Sequence, residues 1–208
     1  MISSGIEPNI FNRHRVSWIG VRYGKTEHEV KLLNADSPRN WDRYGNSKSK
    51  NAQLGFQKHS CIQFCIVPNG FEVILFHAVA SEAIDRGYMH DLIDENKKME
   101  LKRIIKAINN LKGKGFTWYI SDPDQRKLVA KFKIDEENPI DFLSFYKKYD
   151  KEGYTSVCQF SIKPDNAVLK DKKEIAKLVL RKTKELLPLY KAVTFREQYT
   201  IKSLTKKE

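Results

Sequence analysis

The stretch that most constrains the fold is CIQFCIVPNGFEVILF, residues 61–76. Two nearly continuous apolar runs lie on either side of Asn69-Gly70, a residue pair that accepts the positive φ angles of tight hairpin turns. Nearly continuous apolar strands favour a central position in a sheet over an exposed edge. The stretch therefore predicts a central antiparallel β-hairpin.

Further strands are predicted on both sides of this hairpin. FTWYI and KLVAKFKI (116–120 and 127–134) enclose a polar turn, and the return strand alternates apolar and basic residues. RVSWIGVRY (15–23) predicts a strand that can pair with HEVKLLN (28–34). YTSVCQFSI (154–162) predicts one more strand.

A long helical region is predicted over residues 81–112. In its second half Leu101, Ile104 and Ile108 recur at helical spacing. Its first half contains Gly87, and a glycine costs about 1 kcal/mol in a helix interior. We therefore expect the helix to break near Gly87.

Two more helices are predicted from their end signals. Asn138-Pro139 combines an N-cap residue with a proline at the first helical position. Asp171 can cap a final helix, which we expect to end near Leu187 because Pro188 follows.

The order of these elements predicts an α+β fold. Strands joined by short turns pair antiparallel, and helices must then cover one face of the sheet. We expect one domain over residues 1–208. Its antiparallel sheet is built from two strand–strand–helix units plus an extra strand and helix, with the helices packed mainly on one face.

The positive charge is concentrated toward the ends of the chain. The net charge is +12, of which residues 35–58 contribute +3 and residues 170–208 contribute +7. Residues 59–169 have no net charge. A neutral body that carries basic segments is typical of a protein that binds a polyanion.

Arginines interleave with aromatic residues in the first quarter of the chain. The densest part is a loop at 35–55 without apolar periodicity. Basic side chains neutralise phosphates, and aromatic rings stack on exposed bases. The pattern predicts a nucleic-acid surface made of Arg13, Arg15, Arg22, Tyr23, Arg39, Trp41, Arg43, Tyr44, Lys48 and Lys50.

The basic C-terminal helix and tail at 170–208 predict a second surface. Four basic residues at helical spacing form one stripe: Lys173, Lys177, Arg181 and Lys184. Apolar residues occupy the other side and are expected to face the core: Ile175, Leu178, Val179 and Leu186. Such a stripe suits a phosphate backbone.

The stretch FHAVASEAIDRGYMHD (76–91) is the most enzyme-like part of the chain. We interpret it mainly as the start of a helix, with Arg86, His90 and Asp94 as a charge ladder on the helix surface. His77 fits this interpretation least, because a histidine at a strand end can also act as a base. An active site here stays open as the alternative.

The three cysteines do not form a disulfide framework, and no apolar run reaches the 18 residues of a membrane span. The N-terminus lacks the order of a secretory signal. We expect a cytoplasmic protein that has no membrane association.

These features favour a nucleic-acid-binding module, with DNA as the first choice over RNA, as the recognition part of a restriction or defence system. The first alternative is a divergent magnesium-dependent nuclease that uses Glu29, Lys31, Asp122 or Asp124. Neither the stretch around Glu29 nor the stretch around Asp122 holds a full set of metal ligands. The second is a non-catalytic subunit that binds a protein partner or a second copy of itself. We expect no resident cofactor, no metal site and no catalytic residue under the leading hypothesis, and no motif assigns the chain to a family.

Overall fold

The computed structural model describes residues 2–6, 16–26, 59–77, 84–122, 125, 127–151 and 153–195. The strands are β1 Ile2–Ile6, β2 Val16–Gly24, β3 Cys61–Val67, β4 Gly70–Phe76, β5 Thr117–Asp122, β6 Lys127–Lys133 and β7 Thr155–Ile162. The helices are α1 Ile84–Asp94, α2 Lys98–Asn109, α3 Asp141–Tyr149 and α4 Lys172–Val193, with a short 3-10 helix at Ala167–Lys170.

The described strands form one antiparallel sheet in the order β1-β2-β3-β4-β7-β5-β6. The predicted hairpins β3–β4 and β5–β6 are present, and β7 lies between them because it pairs with β4 on one side and β5 on the other. The extra strand therefore joins the two strand–strand–helix units into one sheet. The predicted α+β class is confirmed.

The core lies between one face of the sheet and the helices. Alternate strand residues such as Leu75, Trp118 and Phe132 are fully buried and share this core with helix residues such as Ile108 and Leu186. The indole Nε1 of Trp118 donates to Ser156 Oγ at 3.0 Å, so its polar atom is satisfied. Helices cover this face because it carries the apolar half of each alternating strand.

The first hairpin differs from its prediction in one detail. Val67 pairs with Gly70, so Pro68 and Asn69 are the two loop residues. Only Gly70 has the positive φ angle, at 133°, whereas Asn69 does not. A Cβ at Gly70 would lie 1.9 Å from the carbonyl oxygen of Ile162 on the neighbouring strand, so glycine is required for close strand approach as well as for the turn.

The predicted break at Gly87 is wrong. Gly87 lies buried inside α1, and the chain breaks at residues 95–97, where Asn96 adopts a φ of 50°. Asparagine tolerates this left-handed conformation better than most residues. Burial of Met89 and Leu92 on α1 outweighs the cost of one glycine.

The third helix begins slightly later than predicted. Asn138 Oδ1 accepts a hydrogen bond from the amide of Ile140 at 3.2 Å, within a turn that precedes α3 at Asp141. The return strand β6 follows its predicted alternation at Phe132, which is buried, and Lys131, which is exposed. The alternation fails at Leu128, which is 48% exposed, because the register between β5 and β6 shifts at this end of the strand. Strand β2 is also present, but its predicted partner at 28–34 lies outside the described residues.

The predicted end of the last helix at Leu187 is wrong. Asp171 caps α4 as expected, since its Oδ1 accepts from the amide of Lys173 at 2.7 Å. The helix then continues through Pro188 to Val193. Leu189 and Val193 are fully buried, and their burial outweighs the backbone hydrogen bond that proline cannot donate.

We expect Pro188→Ala to raise the free energy of unfolding by about 1–3 kcal/mol, because alanine restores an amide donor in mid-helix and removes the ring clash. Urea denaturation measures this change. Lys184→Ala, an exposed substitution on the same helix, should change stability by less than about 0.5 kcal/mol. If Pro188→Ala leaves stability unchanged or lowers it, the restored backbone hydrogen bond does not stabilise the helix at this position.

Candidate functional site

A basic groove lies between α4 and the turn that follows α2. It has a volume of about 570 Å³ and is lined by Asn110, Lys114, Lys177, Leu180, Arg181, Lys184, Glu185 and Pro188. Four of these side chains are basic and one is acidic. The groove is therefore a cationic concave surface with an apolar part at Leu180 and Pro188.

Helical periodicity explains the α4 side of the groove. Leu178 and Leu186 are buried against the core, and the opposite side of the helix exposes Lys177, Arg181 and Lys184. This arrangement agrees with the predicted stripe in position. Lys173 is exposed one turn earlier and is not among the groove-lining residues.

The opposite side of the groove is a glycine turn. Gly113 and Gly115 have φ angles of 72° and 75°, a conformation that other residues rarely adopt. Their amides donate to the Asp135 carboxylate at 2.7 and 3.3 Å. The turn therefore presents Lys114 from a fixed backbone.

Lys182 holds the same turn from the helix side. Its Nζ donates to the Lys114 carbonyl at 2.6 Å and to Glu185 at 2.9 Å, and its side chain is only 6% exposed. The ammonium also lies 4.2 Å from the ring centroid of Phe160, a cation–π contact. Lys182 is thus a structural cation, unlike the basic residues that line the groove.

The sequence did not indicate Lys114 as a site residue. Lys114 lies just beyond the helical region predicted over 81–112, and Lys182, which binds its carbonyl from α4, is 68 residues away along the chain. Lys112 lies two residues before Lys114 and does not line the groove, so the presence of a lysine in this segment does not by itself indicate a site residue. Only the packing of α2 against α4 brings the turn beside the predicted stripe.

Arg22 and Tyr23 do not form the single surface that was predicted. Adjacent strand residues project to opposite faces, and the register places Arg22 across from Gln63 and Tyr23 across from Ile62. Tyr23 lies on the helix side, with its ring centroid 6.1 Å from that of Tyr190. The other members of this predicted surface lie outside the described residues: Arg13, Arg15, Arg39, Trp41, Arg43, Tyr44, Lys48 and Lys50.

A network of buried charges surrounds the start of α1. The Asp85 carboxylate is fully buried and accepts from Lys25 Nζ at 2.9 Å, the Ser60 amide at 2.5 Å and the Phe195 amide at 2.7 Å. Burial alone would raise the pKa of Asp85, but Lys25 and His59 outweigh it and the pKa is lowered. Asp85 therefore stays ionised in the interior.

The predicted surface ladder of Arg86, His90 and Asp94 is wrong. Arg86 is fully buried, where its guanidinium binds Asp150 at 3.0 Å and donates to the carbonyls of Lys151 and Tyr154. His90 Nε2 lies 3.0 Å from the same Asp150 carboxylate. Burial alone would raise the pKa of Asp150. The hydrogen bond from His90 and the charge of Arg86 outweigh burial, so the pKa is lowered.

Asp94, the third residue of the proposed ladder, forms an exposed ion pair with Lys147 on α3 at 3.1 Å. The charges of this stretch therefore face α3 and the loop after it, not one common solvent-exposed side of α1. Helical spacing along α1 could not reveal this, because the partners are 53 to 68 residues away in the sequence.

His77 is a core residue. Its Nδ1 lies 3.2 Å from the Tyr146 hydroxyl and its Nε2 lies 3.3 Å from the Val193 carbonyl. Burial lowers the pKa of His77 to about 4, although Asp150 and Asp85 oppose this change. The ring is therefore neutral at pH 7 and is fully shielded from a large ligand, which favours a structural role over catalysis.

The nuclease alternative involves residues that the structure describes only in part. Asp122 Oδ1 accepts from the amide of Gln125 at 3.0 Å in the turn after β5. Glu29, Lys31 and Asp124 lie outside the described residues. Within the described ranges, no group of three or more His, Cys, Asp or Glu side chains could hold a metal ion.

No protein-family model matches the chain, and no match was found among curated proteins or solved structures. Among the helices of the described residues, none combines the length and apolar composition that a membrane span requires.

We expect the stability of the protein to fall by about 3 kcal/mol between pH 7 and pH 4 through His77 alone. The pKa of His77 in the folded state, about 4, lies below the ordinary value of 6.5. The contribution of His77 is therefore complete above pH 6.5 and is lost as pH falls toward 4.

Urea denaturation across this pH range measures the effect. His77→Asn removes the titrating ring and should flatten the curve. Tyr146→Phe removes only the hydroxyl partner and should keep the pH dependence. Equal slopes for the wild type and His77→Asn would contradict the buried neutral histidine.

We expect Arg86→Met to destabilise the fold by about 3–5 kcal/mol, because it leaves the buried Asp150 carboxylate without its guanidinium partner. Adding Asp150→Leu in the same chain should recover part of this loss. Arg103→Met, an exposed change on α2, serves as the control and should alter stability by less than about 0.5 kcal/mol. Equal effects of the two arginine substitutions would restore the surface interpretation of Arg86.

Proposed function

We propose that this protein is a nucleic-acid-binding module, with DNA as the preferred ligand over RNA, and that the basic groove contacts the phosphate backbone. The observation that supports this proposal is the convergence of Lys114, Lys177, Arg181 and Lys184 on one concave surface from two different elements. Phosphate neutralisation by such side chains supplies most of the sequence-independent affinity of proteins for nucleic acid.

The electrostatic state of the groove supports binding of an anion. Its acidic lining residue, Glu185, is already bonded to the buried Lys182 at 2.9 Å. Lys177 forms an exposed pair with Glu174 at 2.7 Å, and surface pairs of this kind are weak. A phosphate can therefore replace Glu174 at little cost, and the groove remains cationic.

The position of Asp85 supports a link between the groove helix and the basic segments of the chain. Its carboxylate joins Lys25 and Ser60, which flank residues 27–58, to Phe195, which precedes residues 196–208. Both of these segments contribute to the basic excess of the sequence. The described residues that border both segments therefore meet at one carboxylate, next to the C-terminal end of α4.

The wider role in a restriction or defence system rests on the sequence alone. The same holds for a cytoplasmic location and for a protein partner or homodimer. The magnesium-dependent nuclease remains the alternative reaction, and the binding experiment below includes magnesium so that cleavage would be detected.

We expect binding of labelled DNA to weaken steeply as salt is raised. Each phosphate contact contributes roughly −0.9 to the slope of log affinity against log salt on duplex and roughly −0.7 on a single strand. Fluorescence anisotropy over a range of sodium chloride concentrations, with and without magnesium, measures the slope. A flat response, or no binding at low salt, would contradict the proposal.

The groove itself is tested by the triple variant Lys177→Ala/Arg181→Ala/Lys184→Ala. Its slope of log affinity against log salt should be less negative than that of the wild type by about 2 to 3. The matched control is Lys127→Ala/Lys131→Ala/Lys148→Ala, which removes the same charge from exposed positions on β6 and α3. An equal loss in both variants would show that net charge, and not the groove, determines binding.

A further inference from the structure

We infer that the groove receives a single strand of DNA, whose sugar–phosphate backbone lies between Lys114 on one wall and the basic residues of α4 on the other. This inference rests on the proposed function and adds to it the form of the nucleic acid. It also identifies Asp135 and Lys182 as residues that position Lys114.

The size of the groove favours one strand over a duplex. Its volume of about 570 Å³ falls within the range of roughly 300–1,000 Å³ that is typical of sites for small organic ligands. A segment of one or two nucleotides is a ligand of that size. A duplex is much wider and would touch only the rim of the groove.

The placement of charge on both walls supports the same choice. Lys114 comes from the turn after α2, and Lys177, Arg181 and Lys184 come from α4. A backbone that lies inside the groove is neutralised from two sides, which is the most favourable arrangement for an isolated strand. In a duplex, base pairing holds each backbone beside the paired bases, so protein side chains can neutralise it only from its outer side.

The apolar part of the groove suits a nucleotide better than a simple polyanion. Leu180 is 57% exposed although it is a large apolar residue, and Pro188 is exposed beside it. Sugars and the faces of unpaired bases can cover such a surface, and phosphate groups cannot. Unpaired bases are accessible only in a single strand.

The lysine turn is organised before the ligand binds. Asp135 fixes the amides of Gly113 and Gly115, and Lys182 fixes the carbonyl of Lys114. Holding the backbone in advance reduces the conformational entropy that is lost on binding. Asp135 and Lys182 therefore act on the ligand through Lys114.

The first experiment compares a single-stranded oligonucleotide with the duplex of the same length. We expect tighter binding of the single strand. Lys114→Ala should weaken single-strand binding roughly five-fold near 0.1 M salt, the value for one lost contact with a slope of roughly 0.7. Lys112→Ala, two residues away and exposed outside the groove lining, is the matched control and should have a smaller effect.

The outcomes separate this inference from the proposed function. If the duplex binds as tightly as the single strand, or if Lys112→Ala and Lys114→Ala have equal effects, the inference is wrong while nucleic-acid binding stands. If neither form of DNA binds at low salt, the proposed function fails, and the inference fails with it.

A second experiment tests whether Asp135 positions Lys114, because charge and positioning predict opposite signs. Asp135→Ala removes a negative charge near the groove, so electrostatics alone would strengthen DNA binding. If Asp135 positions Lys114, loss of its bonds to the two glycine amides should instead weaken single-strand binding about two- to five-fold. The upper value is the loss expected when one phosphate contact is removed. Glu136→Ala removes the same charge without touching the turn and should not weaken binding; stronger binding by Asp135→Ala would overturn the positioning role.

A third experiment tests the apolar part of the groove with inorganic polyphosphate, a polyanion that has neither sugars nor bases. We expect Leu180→Ala to weaken binding of the single-stranded oligonucleotide and to leave polyphosphate binding unchanged. Because Leu180 is exposed, its replacement should change the melting temperature little. Equal effects on both ligands, or no effect on either, would show that the groove recognises charge alone.

Discussion

The buried carboxylate of Asp85 is the interaction on which the rest of the structure most depends. It accepts hydrogen bonds from residues after β2, before β3 and after α4, and so joins three segments that are far apart in sequence. A carboxylate that leaves water is strongly unfavourable unless its hydrogen-bonding capacity is filled. The interior position of Asp85 is thus stable only when all three segments are in place, which couples the end of β2 and the start of β3 to the last helix.

A second buried ion pair extends this coupling to the other helices. Arg86, the next residue on α1, binds Asp150 at the end of α3 and the carbonyls of the loop before β7. His77 adds a contact from the end of β4 to the last residue of α4. Asp85 and His77 fix the C-terminal end of α4, while Asp171 caps its N-terminal end. The basic stripe therefore lies on a helix that is held at both ends, and the groove gains a stable wall.

Local patterns predicted the elements of the fold well, and failed where distant contacts outweighed local preference. The β3–β4 hairpin with its glycine at residue 70, the buried Phe132 of β6 and the Asp171 cap depend on neighbouring residues, so they are visible in a single sequence. Gly87 and Pro188 are unfavourable inside helices by local rules, yet both lie within helices in the structure. Burial of apolar residues around them supplies more stabilisation than the local penalty removes.

The sequence by itself determined the α+β class and the basic stripe of α4, because hydrophobic and charged periodicity follow directly from the geometry of strands and helices. Only the tertiary structure decided that Lys114 faces this stripe, and that the adjacent Lys182 is buried and structural. It also decided that Arg86 belongs to the core and not to the surface. Whether a charged residue is a ligand-binding group or an internal support depends on burial and on partners 60 or more residues away, and helical spacing alone carries no information about either.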